Sequence, residues 1–267
     1  MEEKFITFKG KQVRYLQGGR INGKPVFLLH GIGAASDIWK TLIIECLNDY
    51  FTIALDFPGF GQSEEIEPVI VPEIFIEVVD YLVKVHDIDQ AVFIGHSMGG
   101  LVAAEYTNKK PEKVAKLILI DSGGFDRIIP FYKIVSTKFS EKLLLPLLGN
   151  RWVGPIGWRI IYGSKIDRRI YLTLTEHWSD QKMAKYFSRV LKGFGDWNFF
   201  DDLTKINCPT LIVWGQLDWV LPMKHARIAH EKLPHAELKV IKFSGHCPHT
   251  NKPGEVNPIL TEFIRSE

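Results

Sequence analysis

The sequence predicts an α/β chain: a mainly parallel, doubly wound sheet of about eight strands flanked by helices, with a helical cap inserted into it. Short apolar runs recur along the chain that are continuous rather than alternating, and strands of that kind are covered on both faces. Segments with apolar residues at helical spacing separate these runs, giving a strand, helix, strand rhythm. The polar residues suited to chemistry, His30, Asp56, Ser97, Asp121, Asp218 and His246, each stand just past the end of such a run. Parallel strands share one carboxyl edge, so these six residues are expected to converge there.

Residues 5–8 and 12–17 flank Lys9-Gly10-Lys11 and read as an antiparallel hairpin at a sheet edge. Pro25–Leu29 and Phe51–Leu55 read as buried strands, separated by a helix over 37–47 with Trp39, Leu42, Ile43 and Cys46 on one face. Glu73–Val85 carries Ile74, Val78, Tyr81, Leu82 and Val85 at helical spacing. The strand beginning at Ala91 leads into Gly95-His96-Ser97-Met98-Gly99-Gly100 and then a helix over 101–106, followed by a strand over 116–122. The alternation lapses over 123–203, where Phe125, Phe131, Tyr132, Trp152, Trp158, Tyr162, Trp178, Phe187, Phe194 and Trp197 cluster at helical spacing; this is the predicted cap. It resumes with strands over 209–215 and 236–243 and helices over 223–233 and 256–264. Residues 1–122 and 204–267 therefore form the expected core.

Composition narrows the function classes. A chain of 267 residues with 46% apolar content buries a large core. Its 33 basic and 31 acidic residues leave a formal charge of +2, which gives no electrostatic reason to expect nucleic acid or a charged surface as partner. The three cysteines, Cys46, Cys208 and Cys247, are scattered and odd in number, which fits a reducing, cytoplasmic setting without a disulfide framework, and metal-ligand spacing is absent. Neither a signal peptide nor a membrane-spanning run is visible.

Ser97 lies between Gly95 and Gly99, small residues that permit a sharp strand-to-helix turn with the hydroxyl exposed. A serine hydroxyl needs a base, normally a histidine oriented by a carboxylate. Among nine histidines, His246 follows the last strand in Phe243-Ser244-Gly245-His246, with His249 the nearest rival; His86, His177, His225, His230 and His235 read as surface or cap residues, and His96 is expected to point away from the serine. Asp218, in the turn after Trp214-Gly215-Gln216-Leu217, is the expected acid, with Asp121 its rival. The backbone N–H groups of Met98 and Ile32 are the expected oxyanion donors, and His30, Asp56 and Ser63 are expected to hold loops.

His30-Gly31-Ile32-Gly33, Asp56-Phe57-Pro58-Gly59-Phe60-Gly61-Gln62-Ser63, Gly95-His96-Ser97-Met98-Gly99-Gly100, Gly215-Gln216-Leu217-Asp218 and Gly245-His246 stand in an order that resembles the α/β-hydrolase-fold serine hydrolases, in their capped, esterase-like group. The resemblance spans nearly the whole chain outside the cap. It implies a carboxylesterase that forms an acyl-enzyme on Ser97 from a small or medium ester or related acyl substrate, with no cofactor. It also admits a carbon-carbon bond hydrolase, an enol-lactonase, a monoacylglycerol lipase or a perhydrolase; a non-catalytic small-ligand receptor on the same fold is the alternative of another class. Serine rather than aspartate at position 97 argues against haloalkane dehalogenase and epoxide hydrolase chemistry. Thr250-Asn251-Lys252-Pro253 departs from relatives that carry a glutamate before the Lys-Pro pair, which touches loop packing. Leu143-Leu144-Leu145-Pro146-Leu147-Leu148 in the cap is expected to line an apolar pocket.

Overall fold

A computed structural model describes residues 1–68, 71–126, 181–195 and 206–266, with the isolated positions 137, 140, 142, 147, 150, 152 and 156. Its strands are β1 (Glu2–Phe8), β2 (Lys11–Gly19), β3 (Pro25–Leu29), β4 (Phe51–Leu55), β5 (Ala91–His96), β6 (Val114–Ile120), β7 (Thr210–Gly215) and β8 (Glu237–Ile241), in the spatial order β1-β2-β4-β3-β5-β6-β7-β8. β1 and β2 pair antiparallel across a tight turn in which Lys9 and Gly10 take φ 49° and 76°, the left-handed pair that suits a two-residue hairpin. β2 joins β4 antiparallel, and every pairing from β4 to β8 is parallel.

The continuous apolar runs occupy the middle of the sheet. β4, β5 and β7 are buried at every residue, whereas β1 and β8, at the two edges, expose most of theirs. Phe27 stacks on Phe93 at 4.9 Å between centroids, directly opposite in the β3–β5 register, so one aromatic pair reports the alignment on which the site depends.

The helices are α1 (Lys40–Cys46), α2 (Glu73–Val85), α3 (Met98–Lys109), α4 (Gln181–Gly195), α5 (Met223–Lys232), α6 (Pro248–Asn251) and α7 (Pro253–Arg265). α1 packs on α7 and α2 on α3. The connection from β3 runs outward to β4, and the next returns past β3 to β5. Right-handed crossovers in opposite directions put α1 and α2 on opposite faces, and the reversal opens a crevice between the ends of β3 and β5.

Several boundaries differ from the sequence expectation. The helix expected over 37–47 is a 3-10 turn, Ser36–Trp39, followed by α1, because Ser36 and Asp37 are drawn into contacts with Arg14 and Asp56. α3 begins at Met98, directly after Ser97: Gly99 and Gly100 are accepted in its first turn, where the helix presses against neighbouring backbone. β6 ends before Asp121, and α7 starts at Pro253, whose fixed φ and missing N–H suit a helix's first turn.

Of the segment 123–203, the described helix is α4. Tyr186 donates to the Pro58 carbonyl at 2.5 Å and meets Phe60 at 5.4 Å, Phe194 lies 5.9 Å from Phe75, and Arg189 pairs with Glu65 and Glu67. α4 is thereby seated on the loop after β4 and on α2. The expected leucine-rich lining lies outside the described residues except for Leu147, which is exposed. Phe131, Tyr132, Trp158, Tyr162, His177, Trp178 and Trp197 lie outside them as well. No helix among the described residues is long and apolar enough to cross a membrane.

Candidate active site

Ser97 joins β5 to α3 at φ 54° and ψ −116°, a left-handed backbone that a non-glycine residue adopts only where its surroundings enforce it. The Ser97 N–H donates to the Ile120 carbonyl at 3.0 Å, and its carbonyl accepts from Gly100, Leu101 and Gly123. Gly95 is required by close approach: a Cβ there would overlap the Gly99 carbonyl and the Cα of Gly100. The turn therefore lifts the hydroxyl to the head of the sheet while the backbone beneath stays bonded.

His246 reaches Ser97 from the loop after β8. Its Nδ1 stands 2.7 Å from Asp218 Oδ2 and its Nε2 3.0 Å from Ser97 Oγ. An ionised carboxylate only accepts, so Nδ1 carries the proton and Nε2 is left to accept one from the serine. Asp218 is buried in the β7–α5 turn, where its Oδ1 accepts the Val220 and Leu221 N–H groups at 2.8 and 2.9 Å. Burial alone would raise its pKa, but the His246 charge and hydrogen bond, with the bond from the Leu221 N–H, hold it below the ordinary carboxylate value. Asp218 is thus ionised at neutral pH.

Of the expected oxyanion donors, Met98 directly follows the serine and Ile32 lies in the loop after β3. Met98 opens α3, where first-turn N–H groups have no carbonyl a turn earlier to bond. Ile32 occupies a turn closed by the Ala34 N–H to the Gly31 carbonyl at 3.1 Å, with Gly33 at φ 76°, the sign its position in a type II turn requires. Gly31 lies against the elbow, since a Cβ there would fall 3.1 Å from the Cβ of Ser97.

A buried polar network, of which the sequence reading missed Arg14, holds this loop. Arg14 on β2 is buried, and its guanidinium meets Glu3 at 2.7 Å, Asp37 at 2.9 Å and Asp56 at 3.0 Å. Burial opposes its charge, but Asp37 and Asp56 outweigh that and raise its pKa. Asp56 also accepts the Ser36 and Gln62 N–H groups, and Ser63 accepts from Arg14 N–H while donating to the Asp56 carbonyl. His30 accepts the Phe57 N–H at Nε2 and donates from Nδ1 to the Gly31 carbonyl. Asp56, Ser63 and His30 hold loops, and Arg14 joins them. Its one cue was a charge inside the apolar run Val13-Arg14-Tyr15-Leu16.

Three further histidines, His96, His225 and His249, are buried. His96 donates from Nε2 to the His246 carbonyl at 2.8 Å, so it supports the His246 backbone. His249 is buried on α6, stacked on Trp39 at 4.7 Å between centroids, and neither ring nitrogen meets a hydrogen-bond partner among the described residues. His225, expected at the surface, is buried on α5, because that helix packs its face onto β7 and β8. Among the described residues, donor atoms near enough to share a cation belong to Asp121, Asp218 and His246, within 4.8 Å of one another; the His246 Nδ1 proton already occupies the link to Asp218.

These buried imidazoles make stability depend on pH. Burial, with the charge of His246, pushes His249 from 6.5 down to about 3, and burial lowers His30, His96 and His225 too. Between those values the unfolded chain binds protons that the folded chain refuses, so stability is lost as pH falls below 6.5. The thermal midpoint is expected to drop between pH 7 and pH 5, by about 2 to 4 °C for each kcal/mol lost. His249→Phe should flatten that slope; a midpoint unchanged with pH in the wild type would contradict the burial of neutral imidazole.

A family model described as the alpha/beta hydrolase family matches residues 26–259 of this chain. An uncharacterized protein of Mycobacterium tuberculosis is 27% identical over 260 residues, covering 91% of this chain and 76% of that one. The pimeloyl-[acyl-carrier protein] methyl ester esterase of Vibrio campbellii is 28% identical over 246 residues, covering 85% of this chain and 89% of the relative. The structure of an esterase from Exiguobacterium antarcticum aligns with a TM-score of 0.86 at 20% identity, over 99% of this chain and 100% of that one, which shows a shared fold.

Proposed function

Because the chain belongs to the alpha/beta hydrolase family, we propose that it cleaves carboxylic ester bonds of small to medium, largely apolar substrates through an acyl-enzyme on Ser97. The observation that carries this reading is the bridge His246 makes between Ser97 Oγ at 3.0 Å and Asp218 Oδ2 at 2.7 Å. Similarity to a relative named as a methyl ester esterase supports the bond type. The formal charge of +2 gives no reason to expect a highly charged substrate.

Ser97 Oγ attacks the ester carbonyl as its proton passes to His246 Nε2, and the imidazolium that results is held by Asp218. The Met98 and Ile32 N–H groups receive the charge developing on the carbonyl oxygen. The tetrahedral adduct collapses with loss of the alcohol, which takes the proton from His246. Water then gives a proton to the same nitrogen and attacks the acyl carbon; the acid leaves, and the proton returns to Ser97. Residues 123–203 stand as the cap that shapes the substrate pocket.

The test combines turnover with labelling. Native protein is expected to hydrolyse p-nitrophenyl esters with rates that depend on acyl length. A fluorophosphonate probe should inactivate it in step with labelling of one residue, Ser97, read by peptide mass. A label on another residue, or full activity in fully labelled protein, contradicts the assignment.

A further inference from the structure

The mechanism above leaves one buried acid without a task. Asp121 follows β6 at 0% exposure, and a carboxylate oxygen of it lies within 4.8 Å of one on Asp218. Two carboxylates so close in a water-poor site do not both ionise, because each charge raises the cost of the other. Donor distribution decides which one keeps its proton. Asp218 collects three hydrogens, from Val220 N–H, Leu221 N–H and His246 Nδ1. Asp121 receives one, from Gly215 N–H to Oδ1 at 2.9 Å, and its Oδ2 meets no donor among the described residues.

We propose that Asp121 is a positioning residue: a neutral carboxylic acid whose Oδ2 proton is donated to Asp218, fixing the carboxylate that orients His246. The proton lies where donors are fewest, and the bond supplies Asp218 with a further hydrogen. Burial and the neighbouring Asp218 charge both act to keep Asp121 protonated, well above the ordinary carboxylate value. The same bond draws charge from Asp218, so the Asp218–His246 pair binds a proton less strongly than an unsupported pair would. The other titratable groups facing this pair are His225 from α5, Cys247 and His96 beside the His246 loop, and His249 from α6.

The inference rests on the esterase reading for its kinetic arm and is independent of it for its spectroscopic arm. Asp121→Asn replaces the acid by a neutral group that still accepts from Gly215 and donates to Asp218. It is expected to keep kcat within about threefold and to leave the acid limb of the pH-rate profile in place. Asp121→Leu removes the donor; the acid limb should move to higher pH by about half a unit or more, with kcat about tenfold lower. Infrared difference spectra between wild type and Asp121→Asn at neutral pH should show the loss of a carboxylic acid C=O stretch. A carboxylate band lost instead, or an acid limb that moves to lower pH in Asp121→Asn, would show an ionised Asp121 and overturn the proposal. The infrared arm decides it even if the leucine variant does not fold or no ester is turned over.

Discussion

Replacing Ser97 with alanine is expected to lower kcat for ester hydrolysis by about five to six orders of magnitude. The substitution removes the oxygen that attacks and nothing that holds the turn. The Ser97 bonds to Ile120, Gly100, Leu101 and Gly123 are made by its backbone, so the left-handed elbow persists with alanine. His246 keeps its bond to Asp218, and the Met98 and Ile32 N–H groups keep their places. The residual rate, about 10³ over water, would come from those donors and from binding. Initial rates on p-nitrophenyl acetate, with the thermal midpoint as a control for folding, make the comparison. A variant that stays folded and hydrolyses at the wild-type rate places the nucleophile elsewhere.

Asp218→Asn should cost about four orders of magnitude in kcat with the fold intact. The direction follows from what surrounds the carboxylate. Its Oδ1 takes the Val220 and Leu221 N–H groups, so an asparagine must keep its carbonyl oxygen there. The amide nitrogen is then turned toward His246, where it donates to Nδ1 and drives the ring proton to Nε2. A protonated Nε2 faces Ser97 Oγ across 3.0 Å and accepts nothing from it. Steady-state kinetics with circular dichroism tests this. Retention of near-wild-type activity would transfer the role of the acid to Asp121, which is also the outcome that Asp121→Asn separates independently.

Much of the sheet was legible because its signals are local. A five-residue run such as Phe51–Leu55 reads as a strand from its length and β-forming residues, and its interior place in the sheet follows from its lack of alternation. The convergence of His30, Asp56, Ser97, Asp121, Asp218 and His246 was also legible, since parallel strands leave their carboxyl ends together. Contacts made across the fold were harder to read. Arg14 reaches Asp56 over 42 positions, and nothing in either neighbourhood names the other. The burial of His249 depends on Trp39, far earlier in the chain. The early start of α3 hid behind two glycines that oppose helix when taken alone, yet are demanded by the backbone pressed against them.

Ser97 and His246 are separated by 149 positions, and β6, β7 and β8 extend the sheet from β5 to its edge within that interval. During synthesis, therefore, Ser97 emerges from the ribosome long before His246, the base of the proposed mechanism. On that mechanism, a nascent or truncated chain ending before residue 246 carries a dormant hydroxyl. On the proposed mechanism, hydrolysis then reports that β8 and the loop after it have docked.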